Sequence, residues 1–267
     1  MMTKDRISGI LLGLAAGDRI GGPVRMALRV AESLRDSGEL KLGDVGDRYL
    51  SWWKEGAFDT GPTVAAVLEK VAAGADYAEA AAQVHGEVDG QTAGCNPAHR
   101  SAPLAMCAAV RDPDLASAAA AEAALTHHHP LAGDGAAAVV LLCRALVRGE
   151  KWERALERAA QDRLPETSAA LRNDPDGPLS RGGFAPDVLH AAVHFVGGAS
   201  SFEDAMESAL AFAGAANYCP VLVGSIGGAR WGASQVPGRW LRTHEPLLPR
   251  IESVAGDLAA GWDGAVT

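Results

Sequence analysis

Apolar residues recur along this chain at the spacing of one helix face, and that period limits what it can fold into. Ile7, Ile10, Leu11 and Leu14 set the pattern in the first segment. Residues three and four apart stack on one side of a 3.6-residue turn. Similar signals run over 24–36, 62–73, 77–88, 101–110, 114–125, 133–148, 151–161, 186–196, 202–212, 220–234 and 246–260. No convincing period-two alternation occurs, so an all-α fold is expected. Hydrophobic residues make up 48% of the chain and aromatics only 5%. Ala, the best helix former, dominates, and its small side chain lets helices approach closely.

Punctuation agrees with this reading. Gly74, Gly149 and Gly197 follow periodic runs and suit helix C-caps, while Asp76 and Ser200 precede runs and suit N-caps. Three polar, Gly/Pro-rich stretches, 40–61, 89–100 and 172–185, read as loops, the last as the most mobile. No linker divides the chain and no fixed-period repeat appears, so residues 1–267 are expected to form a single domain.

The net charge is −9 and no extended basic stretch occurs, so nucleic acid is not an expected partner. No membrane partner is expected either, since no apolar run reaches the roughly 18 to 20 residues that span a bilayer. The apolar stretch 7–17 follows Lys4 and Arg6 but ends in Gly17-Asp18-Arg19, without a small-x-small cleavage site. The four cysteines, Cys95, Cys107, Cys143 and Cys219, form no CxxC pair. Reduced thiols and a cytoplasmic location are expected.

Four segments carry the functional signal. The first is Gly9 to Asp18, continued by Ile20-Gly-Gly-Pro-Val24. The second is Phe58-Asp59-Thr60-Gly61-Pro62-Thr63. The third is Asn96-Pro-Ala-His99-Arg100-Ser-Ala-Pro103-Leu104, followed by Thr126-His-His-His-Pro130. The fourth is Ala213-Gly-Ala215-Ala-Asn217-Tyr218-Cys219, running into a small-residue helix through Gly232. In order and spacing, over about residues 5–240, these resemble the ADP-ribosylglycohydrolase family. The resemblance implies an all-α domain with its site in a cleft between loops at helix ends. It also implies an ADP-ribosylated or N-ribosylated substrate and, in the usual members, two magnesium ions.

The departures fall on the metal motifs. Phe58 and Thr60 stand where the family's Thr-Asp-Asp-Thr carries its first Thr and second Asp. Ala215, Asn217 and Tyr218 stand where it carries two Asp and a Thr, and Arg25 replaces a frequent Glu. Hard dications need several oxygen ligands, mostly carboxylates. The di-magnesium chemistry therefore does not follow from the resemblance, and no residue is assigned to a metal.

Candidate residues carry two readings each. Asp59 is a catalytic base or charge stabiliser, or an N-cap of the helix that follows. His99 adds a titratable group at the site where relatives have Met. Cys219, at a helix N-terminus, is a nucleophile or a buried thiol packed behind the site. Asp18 binds substrate or punctuates its helix; Thr60, Asn217 and Tyr218 line the site. Arg100 clamps a phosphate or carboxylate, or ties loop carbonyls. The run His127-His128-His129 reads as a helix entry, because consecutive residues cannot all face one ion. Trp52 and Trp53 anchor the 40–61 loop, or one of these two or Trp231 offers a stacking ring. Gly227 to Gly232 follows no strand, so it is not a dinucleotide fingerprint. Two functions remain: a glycosidase with weakened or no metal dependence, or an inactive relative that binds a nucleotide-like ligand or a partner protein.

Overall fold

The computed structural model describes residues 2–172 and 177–263, so 173–176 of the loop read as mobile lie outside it. Among the described residues there are fourteen α-helices and no strand, only an isolated antiparallel bridge between Gly94 and Phe184. The first five helices are α1 (Met2–Gly17), α2 (Gly22–Ser37), α3 (Leu42–Lys54), α4 (Pro62–Ala72) and α5 (Tyr77–Glu87). The next five are α6 (Asn96–Arg100), α7 (Leu115–Ala124), α8 (Pro130–Val147), α9 (Trp152–Ala160) and α10 (Pro165–Arg172). The last four are α11 (Ala185–Gly198), α12 (Phe202–Ala213), α13 (Cys219–Trp231) and α14 (Leu248–Ala260).

The antiparallel crossing of α1 and α13 organises the molecule. Gly9 faces Gly228, Gly13 faces Gly224, and Gly17 faces the Pro220 carbonyl. A Cβ added at Gly13 would lie 2.1 Å from the Gly224 carbonyl oxygen, and one at Gly224 would lie 2.0 Å from that of Gly13. Only glycine allows two backbones to approach so closely. The contact runs to the C-terminus of α1 and the N-terminus of α13, so it brings Asp18 beside Asn217. Ile7, Ile10, Leu11 and Leu14 are all fully buried in the main core, and a smaller cluster of Val67, Val71, Ala80, Ala81 and Val84 joins α4 to α5.

Several expectations need correction. The 40–61 loop contains α3, whose Val45, Tyr49 and Trp52 form a buried stripe diluted by polar residues and two glycines. Helices α6 and α10, five and eight residues long, are too short to show a helical period in the sequence. The 101–110 helix is instead a 3-10 turn over Ala102–Ala105 followed by irregular backbone. The Arg144 guanidinium donates to the carbonyls of Leu104, Cys107 and Val110 there, and the Trp262 indole N–H to that of Met106, replacing helical partners. Gly74 and Gly149 do take positive φ at helix ends. Gly197 does not cap: it lies inside α11, and an added Cβ there would meet Trp152 Nε1 at 3.1 Å. Asp76 caps α5, whereas the cap of α12 is Ser201 rather than Ser200. Helix α8 does reach 18 residues with mean hydropathy 1.6, long and apolar enough by those measures to cross a membrane, although 78% of it is buried inside the protein.

Candidate functional site

Asp59, Thr60, His99, Asn217 and Tyr218 line one cleft of about 810 Å³, open solvent included, at the N-terminal ends of α4, α6 and α13. Asn217 is its hub. Its Oδ1 accepts the Arg19 backbone N–H at 3.0 Å, and its Nδ2 donates to Asp18 Oδ1 at 2.9 Å and Asp59 Oδ2 at 3.4 Å. One neutral amide thus bridges two carboxylates.

Asp59 sits in the left-handed region, with φ of 53°. It does not cap α4, as its sequence position suggested: the N-cap is Gly61, with Pro62 at the helix start. Its Oδ2 instead accepts the Gly22 N–H at the start of α2, at 3.3 Å. Partial burial raises its pKa, Asp18 adding to the effect and the Gly22 and Asn217 bonds opposing it. Among the described residues Asp59 Oδ1 has no hydrogen-bond partner, and Asp59 is the one acidic side chain lining the cleft.

Asp18 lies behind the cleft, buried. Besides Asn217, its carboxylate accepts the N–H groups of Ile20, Gly21 and Val24, and its carbonyl oxygen accepts from His244. Its acceptor capacity is spent on the α1–α2 turn, so a substrate-binding role does not fit its position.

His99 lines the cleft but is almost fully buried. Its Nε2–H donates to the Tyr218 carbonyl at 3.0 Å, and burial lowers its pKa to about 4, leaving the ring neutral. Cys219 does not line the cleft, and burial raises its thiol to about 12, so the nucleophile reading fails and the buried-thiol reading fits. Arg100 is wholly inaccessible. It pairs with Glu122 at 2.7 Å and donates to Asn96 Oδ1 and Thr126 Oγ1, each at 2.8 Å, so it cannot clamp an anion in the cleft. Its contribution is indirect, since Asn96 Nδ2 donates to the Thr60 carbonyl at 3.1 Å and so steadies the Asp59-Thr60 loop. His129 Nδ1 accepts the Leu131 N–H and caps α8, as a helix entry should. Asn96, Gln91, Thr63 and His127 also line the cleft, and none of them had been singled out as a site residue. Asn96 stood in plain view as the first residue of the third motif.

Similarity to known proteins decides the family. A model of the ADP-ribosylglycohydrolase family matches residues 1–265. The chain belongs to that family. The ADP-ribosylarginine hydrolase Tri1 of Serratia proteamaculans (strain 568) is 25% identical over 282 residues, spanning 89% of this chain and 74% of that protein. A solved structure described as an ADP-ribosylglycohydrolase-related protein complex is 28% identical, with a TM-score of 0.80 over 97% of this chain and 98% of its own.

Against the ADP-ribosylglycohydrolase pattern, the donor set here does not fit two magnesium ions. Of the two metal motifs only Asp59 keeps a carboxylate. Asn217 turns its amide N–H groups, not an oxygen, toward Asp59 and Asp18, and its Oδ1 is already bonded to Arg19. Phe58 and Tyr218 bring aromatic rings where the family pattern has the short hydroxyl side chain of Thr. Among the described residues no group of three or more His, Cys, Asp or Glu could hold a metal ion. Such a cradle lacks the negative charge that holds hard dications.

Proposed function

We propose that this protein hydrolyses the glycosidic bond of a ribosylated substrate, ADP-ribosylated or otherwise N-ribosylated, without magnesium. The observation that carries this reading is Asp59, alone among the acidic side chains of the described residues in the cleft, with one oxygen held and the other open. Cleaving a ribosyl bond passes through an oxocarbenium-like state, which a nearby carboxylate stabilises. Asp59 Oδ2 is fixed by Gly22 and Asn217, so Oδ1 is free to take a proton from water as its oxygen bonds to C1′ of the ribose. The glycosidic bond breaks with its electron pair leaving on the aglycone, which is protonated from solvent. Its raised pKa makes it a better base than an ordinary aspartate. Thr60 and Asn96 supply polar groups for the sugar, and Tyr218 offers a ring for the part beyond it. Asn217 acts as a positioning residue, with every polar atom already engaged.

The test is turnover of a panel of ribosylated compounds, including ADP-ribosylated arginine and serine proteins, in EDTA and in magnesium. The expected result is turnover that EDTA does not reduce and that Asp59→Asn lowers by about 10² to 10⁴. Wild-type activity unaffected by the substitution rules the mechanism out. The loss of carboxylates at Thr60, Ala215 and Asn217 favours a second reading, a relative that binds a ribosyl ligand without cleaving it. That reading expects no turnover in the wild type and a changed ligand affinity in Asp59→Asn.

A further inference from the structure

Arg100 never meets the cleft, yet one nitrogen of its guanidinium acts on two of the cleft's polar groups. Both hydrogens of Nη1 are used: one goes to Asn96 Oδ1 and the other to Thr126 Oγ1, each at 2.8 Å. Glu122 holds the guanidinium in that pose, accepting from Nε at 2.7 Å through Oε1 and from Nη2 at 3.1 Å through its backbone carbonyl. An arginine can only donate, so the direction of both Nη1 bonds is set. Asn96 presents its amide oxygen to Arg100 and therefore turns Nδ2 toward the Thr60 carbonyl. Thr126 receives a hydrogen on its hydroxyl oxygen.

The chain continues to His127. Thr126 is fully buried, and its Oγ1 lies 2.8 Å from His127 Nδ1. The hydroxyl has one hydrogen to give, and among the described residues Nδ1 is the acceptor within its reach. With a proton on Nδ1, the ring would donate to Thr126 and the hydroxyl hydrogen would be buried without an acceptor, a costly arrangement. Burial and the charge of Arg100 push the imidazole well below its ordinary pKa, so the ring carries a single proton. With Nδ1 accepting, that proton sits on Nε2. Nε2 lies at the cleft wall: a Cβ added at Gly94, itself a lining residue, would be 3.2 Å from it. His127 is 4% exposed, and among the described residues nothing accepts from its Nε2. A buried donor thus faces the space where a ligand would lie.

We propose that Glu122, Arg100 and Thr126 form a buried relay that fixes His127 as its Nε2–H tautomer, so that His127 donates a hydrogen bond to an oxygen of the bound ligand. This rests on the reading of the cleft as a ribosyl site. Arg100 and Thr126 are positioning residues, since neither lines the cleft. A free imidazole moves its proton between the two nitrogens and can serve a donor or an acceptor. The relay removes that choice. A sugar hydroxyl or a phosphate oxygen accepts from Nε2–H, whereas a ligand N–H would meet it hydrogen to hydrogen. Asn96 is turned by the same Arg100 nitrogen, and its Nδ2 keeps a second hydrogen beyond the one spent on Thr60.

The experiment records long-range proton–nitrogen NMR correlations of the histidine rings in the ligand-free protein near neutral pH, with His127 assigned by its loss in His127→Phe. Calorimetry in EDTA then measures ADP-ribose and nicotinamide riboside against the wild type, Thr126→Val, Thr126→Ser, His127→Phe and the double variant. The expected spectrum has the His127 proton on Nε2 in the wild type and in Thr126→Ser, and a mixture of tautomers in Thr126→Val. Thr126→Val should weaken binding about two- to tenfold, the scale of one hydrogen bond, and Thr126→Ser should restore it. In the His127→Phe background Thr126→Val should add no further loss, whereas a merely structural effect would add in both backgrounds. A loss shared by both ligands puts the acceptor on the ribose, and one confined to ADP-ribose puts it on the diphosphate. A proton on Nδ1 in the wild type overturns the relay, whether or not the variants fold. A proton on Nε2 with affinities indifferent to Thr126 and His127 overturns the donor's role. No binding of either ligand by the wild type overturns the ribosyl reading and the donor's role with it, while the tautomer stands or falls on the wild-type spectrum alone.

Discussion

The side-chain amide of Asn217 donates to Asp59 at 3.4 Å, across 158 positions of sequence. The same nitrogen reaches Asp18 at 2.9 Å, so a neutral side chain holds together two carboxylates that would otherwise repel. The bridge depends on the helix crossing beneath it. Glycines at 9, 13 and 17 let α1 meet α13 backbone to backbone, and the two helix ends that carry Asp18 and Asn217 arrive together.

That crossing makes a first prediction. Gly224→Ala places a Cβ 2.0 Å from the Gly13 carbonyl, which is backbone and can yield only if the helices part. Overpacking of this kind costs about 3 kcal/mol, and at about 2–4 °C per kcal/mol for a chain of this size the melting temperature falls by roughly 6–12 °C. Gly256→Ala is the control, since an added Cβ there meets nothing within 4 Å and the position is inside α14. It should leave stability unchanged or raise it by up to about 1 kcal/mol. Equal losses in the two variants would show that the close crossing is not what matters.

A second prediction concerns the ion pair behind the cleft. Glu122 has an inaccessible side chain and accepts from Arg100, Tyr49 and Ser101. Glu122→Gln leaves the Arg100 guanidinium buried without its counter-charge, which costs about 3–5 kcal/mol. Chemical denaturation should show this as a shifted midpoint. A loss under about 1 kcal/mol would mean that water or another acceptor reaches Arg100.

The helical class and the first motif were legible because buried faces repeat at 3.6 residues, and Ile7, Ile10, Leu11 and Leu14 all point inward. Helix α3 was not legible, because its stripe of Val45, Tyr49 and Trp52 is interrupted by Gly43, Gly46 and four charged residues. At the site, Asp59, His99 and Asn217 were picked out by family position, and they do meet in one cleft. Arg100 and Cys219 misled for one reason: a charge or a thiol in sequence does not reveal its burial. Glu122, the partner that removes Arg100 from the cleft, stands in an Ala-rich helix where an acid reads as solvated surface.

A third prediction follows from His99. Its folded pKa, about 4, lies below the ordinary value of 6.5 because burial penalises the imidazolium. Between those limits the unfolded chain takes up a proton that the folded chain does not. Stability from this group is therefore fully present above pH 6.5 and is lost as pH falls toward 4. His127, shifted the same way, adds to the slope. His99→Gln keeps a donor for the Tyr218 carbonyl and removes the titration. Its melting temperature should fall less steeply between about pH 6.5 and 4.5 than that of the wild type. Parallel curves would mean that His99 is not held neutral.

The last prediction puts back one of the missing family carboxylates. Asn217→Asp replaces the bridging amide with an acceptor that can donate nothing to Asp59 or Asp18. Three carboxylates then face one another, and only the Arg19 N–H still points at residue 217. In EDTA the variant should lose about 1–3 kcal/mol, the cost of unsatisfied and mutually repelling buried groups. The loss should shrink at acid pH: each carboxylate in the cluster has its pKa raised by the others, so protonation relieves the repulsion and stability recovers as pH falls. Magnesium should separate variant from wild type. A cluster of three acids offers the hard oxygen donors that a dication needs, so magnesium should raise the melting temperature of Asn217→Asp. The same addition should leave the wild type unmoved, because its amide already holds the space between Asp18 and Asp59. The measurement is a thermal melt of both proteins in EDTA and in magnesium. Magnesium stabilising the wild type as much as the variant would show that the native donor set binds the ion after all, and the metal-free mechanism would fall with it.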